Sequence, residues 1–272
     1  MSEEKFIDIK RLIKSKSPRL AKWLPGFVIS YLKRILHQDE INDFLIKHKE
    51  DYNADFCTEV INYFNIQIEV KGIENIPKGG KVIIAMNHPL GGMDAIAFVS
   101  ALQNHRTDLR FIVNDLLMNL TNLRGLFVGV NKHGKNEGSV RQQIHDVFES
   151  DEAVCIFPAG LVSRKINGQV RDLDWKKTFV TYSIRMDQPI IPVFIDGELS
   201  NFFYRLANFR KFIGIKANIE MLYLSNELFK QRNKKMTFTI GKPILPSEFD
   251  INRSERDLAQ DVKAMVYDLA KK

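Results

Sequence analysis

Cysteine is nearly missing from this chain: Cys57 and Cys155 are the only 2 in 272 residues. Two cannot make a disulfide framework, and their separation excludes a CxxC metal or redox pair, so a reducing compartment and buried apolar thiols are expected. Long hydrophobic runs are missing too. No window reaches 18 consecutive apolar residues, because Lys, Arg, Asp or Asn interrupts each candidate, which predicts no membrane-spanning helix. The opening Met-Ser-Glu-Glu-Lys, with no apolar region behind it, predicts no secretory signal. Glycine (15) and proline (9) are too sparse for a collagenous or low-complexity chain.

Hydrophobic residues at 44% and charged residues at 27% match an ordinary globular protein. The length fits one large domain or a core with an appendage, on a prior of about 150 residues per domain. Acid is outweighed: Asp+Glu is 33 against Lys+Arg 40, a net charge of +7. That surplus points to an anionic partner, with nucleic acid, a phosphate-bearing cofactor and an anionic membrane as candidates. Residues 1–37 hold nine cations (Lys5, Lys10, Arg11, Lys14, Lys16, Arg19, Lys22, Lys33, Arg34) and three anions (Glu3, Glu4, Asp8), a surplus of +6. Leu20, Trp23, Leu24, Phe27, Val28, Tyr31, Leu32, Ile35 and Leu36 form an apolar helical stripe in the same stretch, which Pro25-Gly26 should divide. Such a basic amphipathic section either lies in a membrane interface or packs on the protein's own core with a solvated basic face. No base-reading motif accompanies it, so nucleic acid is not expected.

Helical patterns follow at 38–48 and 52–64. Residues 66–71 then alternate as a half-buried strand does. Val82–Met86, Leu109–Val113, Leu126–Val130, Val154–Phe157 and Ile190–Ile195 read as buried strands, with helices at 93–103, 137–149 and 174–186 between them. Ala217–Leu224 and Met236–Ile240 alternate like edge or antiparallel strands, and 254–270 is a closing helix. The expected architecture is α/β: an N-terminal helical section over 1–65, then a domain over 66–272 with a mainly parallel, mixed sheet flanked by helices.

Three strand-end loops carry candidate chemistry, where ligands sit in open α/β sheets. After Val82–Met86 comes Asn87-His88-Pro89-Leu90-Gly91-Gly92-Met93-Asp94. The Gly-Gly turn lets Asp94 fold back on the His88 imidazole, fixing its tautomer and making a general base. Alternatively, Asp94 caps the next helix and His88 makes a turn hydrogen bond. Phe157-Pro158-Ala159-Gly160-Leu161-Val162-Ser163-Arg164-Lys165 offers two cations and a hydroxyl at a second strand end, and Asn131-Lys132-His133-Gly134-Lys135 follows a third. No Gly-x-Ser-x-Gly elbow is present, so direct transfer assisted by a base fits better than a covalent intermediate. No His-x-x-x-His or similar spacing supports a metal site.

These blocks, Asn87-His88 to Asp94, Leu126 to Lys132, Phe157-Pro158-x-Gly160 to Ser163-Arg164, and Ile191-Pro192-Val193, occur in an order that resembles the glycerolipid (lysophosphatidate-type) acyltransferase superfamily. The resemblance covers about residues 66–245. It implies transfer of a fatty acyl group from acyl-CoA or acyl carrier protein to a lysolipid hydroxyl, without a cofactor beyond the donor. By the same resemblance His88 is the base and Asp94 its partner. Asn87, Lys132, Phe157, Pro158, Gly160, Ser163 and Arg164 help to bind substrate, and Pro192 belongs to the acyl pocket. The sequence departs from the usual pattern at three points. Five residues rather than four separate His88 from Asp94, Ala159 stands where Glu is usual, and the second block is one residue longer with Lys132 in place of Arg. The Phe-Pro-Ala-Gly block, with Asp172, Trp175 and Lys176, is similar to the hemolysin-like branch, which includes enzymes that acylate lyso-ornithine or lyso-glycine lipids. The implied partners are a lysophospholipid or lyso-amino-acid lipid and an anionic membrane, with the protein peripheral on its cytoplasmic face. A non-catalytic lipid-binding protein, and a hydrolase using water at His88, are the alternatives.

Overall fold

The computed structural model describes residues 6–114, 120–130 and 137–271. Five helices come first: α1 (Ile9–Lys16), α2 (Pro18–Trp23), α3 (Gly26–Ile35), α4 (Gln38–Lys47) and α5 (Asn53–Phe64). Then follow β1 (Gln67–Lys71), β2 (Val82–Met86), α6 (Gly92–Leu102), β3 (Leu109–Asn114), β4 (Phe127–Val130), α7 (Glu137–Glu149) and β5 (Ala153–Ile156). The chain continues through β6 (Arg164–Ile166), β7 (Gln169–Arg171), α8 (Thr178–Met186), β8 (Ile190–Asp196), α9 (Asn201–Phe212), α10 (Leu224–Phe229), β9 (Lys235–Ile240) and α11 (Glu255–Asp268).

Seven strands form one sheet in the order β1-β9-β8-β2-β5-β3-β4. Every neighbouring pair is parallel except β8 and β9, which run antiparallel. β2 is buried along its whole length between β5 and β8, which is why Val82–Met86 reads as a continuous apolar run rather than an alternation. The faces still alternate in what they touch. Ile83 and Ala85 join Val154 and Ile156 of β5 in a core with Phe148, Phe179, Val180, Leu258, Ala259, Val262 and Val266 of α7, α8 and α11. Across the sheet, Phe98 of α6 meets Phe111 of β3 and Phe238 of β9 edge-on. Cys57 and Cys155 are both buried. Burial pushes the Cys57 thiol up to about 12 and raises that of Cys155 as well, so both remain protonated and inert as nucleophiles.

Two compact units divide the chain: Met1–Glu50 with Ser200–Gln231, and Asp51–Leu199 with Arg232–Lys272. The division falls at residue 50 rather than 65, because α5 packs against α6 within the sheet unit. In the smaller unit, Asp8 caps α1 by accepting the Arg11 N–H, and Gln38 and Asn42 of α4 accept the Ile9 and Ile7 N–H groups. Tyr31 of α3 meets Tyr223 at 2.7 Å between hydroxyls. The apolar stripe after residue 18 is divided by Pro25, which precedes the first residue of α3.

The expected strand at Ala217–Leu224 is absent. Residues Ile219–Tyr223 form a 3₁₀ turn that runs into α10. The Arg210 guanidinium donates to the Ile215 carbonyl, the Asn218 side chain and the Glu220 carboxylate, drawing the segment into a tight bend that an extended strand could not make. Met236–Ile240 is antiparallel to β8 but lies inside the sheet, with β1 outside it. The helix expected from residue 174 starts at Thr178, since the Trp175 and Lys176 N–H groups bond to Gln260 and to the Pro158 carbonyl instead.

Candidate active site

The loop after β2 begins with a fixed joint. The Asn87 side chain accepts the Ile195 N–H at 2.7 Å and donates to the Ile195 carbonyl at 2.9 Å, which ties the end of β2 to β8. Asn87 is thus a framework residue whose amide is committed to backbone. Next, the His88 Nδ1 lies 2.9 Å from Asp94 Oδ2. The His88 side chain is 18% exposed and that of Asp94 is fully buried, 0%, so the pair hides its carboxylate, and Nδ1 is the ring nitrogen engaged with it. Gly91, at φ 72° and ψ −135°, adopts a conformation that side chains avoid and immediately precedes α6. The turn lies between His88 and Asp94, where the chain has five intervening residues. Asp94 sits in the first turn of α6, and its carboxylate also accepts the Leu90 N–H at 3.0 and 3.2 Å. Of the two uses of Asp94 read from the sequence, the structure shows the bond to the imidazole and not the helix cap: the N-cap is Gly91, and the second partner of the carboxylate, Leu90, lies before the helix. Burial pushes the Asp94 carboxyl above its ordinary value, against the opposing pull of His88 and the Leu90 N–H.

Phe157, at the end of β5, stacks on the imidazole with 4.1 Å between ring centroids and 24° between planes. The Phe157 carbonyl accepts the Gly160 N–H at 2.9 Å, closing a turn in which Gly160 has φ +67°. Pro158 is buried, and its carbonyl accepts the Lys176 N–H at 3.1 Å. The Lys176 amine lies 3.2 Å from where a Cβ on Gly160 would stand, so the glycine leaves room for this cation over the turn.

Asp172 organises the backbone behind His88. Its carboxylate accepts the Ser163 hydroxyl at 2.5 Å, the Trp175 Nε1–H at 2.8 Å and the His88 N–H at 3.2 Å. The Asp172 N–H donates to the Tyr267 hydroxyl of α11 at 2.7 Å, and the Ser163 N–H donates to the His88 carbonyl at 2.8 Å. Ser163 is therefore committed to the framework. Arg164, the first residue of β6, is buried as well and donates to the Val162 carbonyl at 2.7 Å just before the strand. Lys132 lies outside the described residues, as do Asn131, His133 and Lys135. Pro192 pairs with Ala85 in mid-sheet and lines an open depression of about 240 Å³ with Gly241, Ile244, Met265 and Leu269, which includes no residue of the His88 loop. The structure thus brings together His88, Asp94, Phe157, Pro158 and Gly160, and sets Pro192 apart from them.

A buried carboxylate holding a partly exposed imidazole, at the strand end of a mostly parallel sheet, is an arrangement suited to taking a proton from a hydroxyl. A family model described as acyltransferase matches residues 11–272. The chain belongs to this acyltransferase family. The acyltransferase is 46% identical over 265 residues to a lyso-glycine lipid O-acyltransferase of Bacteroides thetaiotaomicron, covering 97% of both chains. It is 44% identical to one of Phocaeicola vulgatus, covering 97% of this chain and 95% of that one. Its fold matches the crystal structure of the 1-acyl-sn-glycerophosphate (LPA) acyltransferase PlsC from Thermotoga maritima with a TM-score of 0.52 and 18% identity, over 97% of each chain. Membership of an enzyme family sets aside the non-catalytic alternative, and among the described residues no helix of the acyltransferase is long and apolar enough to cross a membrane.

In the sequence, Asp172 and Trp175 carry a likeness to a family branch without a task for either, and Tyr267 stands in no motif. Asp172 lies in the hydrophilic run Arg-Asp-Leu-Asp-Trp-Lys-Lys, whose composition resembles a solvated turn. The one local signal is the tryptophan three residues on, whose indole N–H requires a partner when buried.

Proposed function

We propose that this acyltransferase moves a fatty acyl group from an acyl thioester, carried by coenzyme A or acyl carrier protein, to the hydroxyl of a lyso-glycine lipid. The acceptor rests on a single observation: the two near-full-length relatives are lyso-glycine lipid O-acyltransferases. His88 Nε2 takes the acceptor hydroxyl proton as the oxygen attacks the thioester carbonyl, while Asp94 holds Nδ1 and offsets the charge on the ring. Collapse of the adduct breaks the C–S bond, and the imidazolium returns the proton to the departing thiolate. No bond to the enzyme forms. The Phe157 ring limits how the imidazole can turn. Lys176, over Gly160, supplies a cation for the carboxylate of the glycine headgroup. Because the acceptor resides in a bilayer, the protein works as a peripheral protein at the cytoplasmic face, docked through the basic apolar stripe of its N-terminal helices.

The test is transfer of a labelled long-chain acyl group, from each thioester in turn, to lyso-glycine lipid, lyso-ornithine lipid and lysophosphatidate. Lyso-glycine lipid should give the highest kcat/KM, and His88→Ala should lower kcat by at least about 10²-fold. Equal product from wild type and variant would remove the base from His88, and a preference for lysophosphatidate would overturn the acceptor.

A further inference from the structure

α9 is apolar on two opposite faces. Phe203, Tyr204, Ala207 and Arg210, at helical spacing, form its buried face. A helix that served only its own core would carry polar residues opposite. Instead Phe202, Arg205, Phe209 and Phe212 occupy the outer arc, with Phe209 58% and Phe212 88% exposed. The turn that follows continues the pattern, with Ile213 and Ile215 exposed beside Lys211 and Lys216. Residues 200–218 include Arg205, Arg210, Lys211 and Lys216 and no acidic residue.

This turn is built to hold its shape. Arg210 is buried and pairs with the buried Glu220, Nε to Oε2 at 2.5 Å and Nη2 to Oε1 at 3.1 Å. The same guanidinium donates to the Ile215 carbonyl at 3.2 Å and to the Asn218 side chain. A buried ion pair adds little net stability, and its clearest benefit is a defined geometry. Here the bonds of Arg210 define the bend through Ile215 and Asn218, and Phe212, Ile213 and Ile215 are exposed along it.

We propose that the outer arc of α9 and the turn through Lys216 form a second membrane-docking surface. Phe209, Phe212, Ile213 and Ile215 enter the interfacial layer of an anionic bilayer, and Arg205, Lys211 and Lys216 meet lipid phosphates. A stretch that sets cations and no acidic residue among exposed apolar side chains is complementary to anionic lipid and repels a second copy of itself. The proposal extends the reading above that the protein works at a bilayer and adds a surface far along the chain from the N-terminal helices.

Vesicle binding measured on the full chain, without acyl donor or acceptor, keeps this proposal separate from the acyl-transfer reading. Phosphatidylcholine vesicles with and without phosphatidylglycerol are the probes, and wild type, F212S/I213S and K211E/K216E are compared. F212S/I213S should bind both vesicles on the order of tenfold more weakly, and K211E/K216E should lose the preference for phosphatidylglycerol. Both should melt with wild type, since the altered side chains are exposed. Wild-type binding by both variants overturns the proposal. So does a wild-type dimer that F212S/I213S converts to monomer with vesicle binding unchanged, because the face would then join two copies.

Discussion

Replacing Asp172 by Asn changes one non-hydrogen atom in kind and none in number, yet it attacks the framework behind His88. Three donors converge on the carboxylate: the His88 N–H and Ser163 O–H on Oδ1, and the Trp175 indole N–H on Oδ2. An amide offers one acceptor atom. With its oxygen kept toward His88 and Ser163, its NH2 confronts the indole N–H; turned round, it confronts two donors. The cheaper choice loses one hydrogen bond to a charged group and leaves a buried donor unmet, about 3 kcal/mol together. For a unit of roughly 150–250 residues, 1 kcal/mol moves the melting temperature by about 2–4 °C. Asp172→Asn should therefore melt about 6–12 °C lower by calorimetry. At a temperature where both proteins are folded, kcat should fall while the thioester KM holds, because the variant loosens the His88 backbone and leaves donor binding alone. A melting temperature within about 1 °C of wild type together with unchanged kcat would refute the claim that Asp172 positions His88.

Asp94→Asn tests the raised carboxyl. A carboxyl whose folded value exceeds its unfolded value stabilises most below the unfolded value, and that contribution is lost as pH rises through the folded one. Asn has no such dependence, so the melting temperature of the variant minus that of wild type should climb as pH rises above about 4, while kcat falls at least about 10²-fold; a flat or falling difference contradicts the burial effect at Asp94. Gly91→Ala forces a side chain into φ 72°, ψ −135° and should cost about 1–3 kcal/mol in a urea melt while lowering the initial rate; wild-type behaviour in both would mean the loop does not need this turn. Lys176→Met should raise KM for the lyso-glycine lipid about tenfold, the loss of one charge-assisted contact, with kcat nearly kept; an equal KM change for an acceptor without the carboxylate argues against headgroup recognition.

The legible parts of the site were those whose partners are close in the chain. His88 and Asp94 are six residues apart across a Gly-Gly turn, and the hydrogen bond between them follows from that spacing. Phe157 was legible as a strand end, though not as the ring that stacks on the imidazole, since stacking depends on β2 and β5 being neighbours. The Asp172–Tyr267 bond spans 95 residues, a separation at which nothing local pairs the two. Burial also gives Asn87 and Ser163 framework hydrogen bonds that their place in the motifs did not show. Both are small polar residues in a motif, and either could have faced substrate until the Ile195 backbone and Asp172 claimed their hydrogen bonds. In the sheet, strands with uniform apolar runs were found where they were expected. The alternation at 217–224 failed because period two over a few residues does not distinguish a strand from a 3₁₀ turn that an arginine folds back on itself.

The pairing of β1 with β9 carries a consequence in time. Gln67 pairs with Lys235 and Glu69 with Thr237, a separation of 168 residues, as for the Glu69–Thr237 side-chain contact. At about 5–20 residues per second, β1 waits on the order of 8–30 s after its own synthesis for its partner strand to be made. During that interval it has an unpaired edge, which other extended chains can join. Glu69 and Lys71, two charges within five residues, make it a poor template while it waits, and Glu69 later pairs with Lys235 at 2.8 Å when β9 arrives. The same charge that guards the nascent strand thus helps to set its register in the finished sheet.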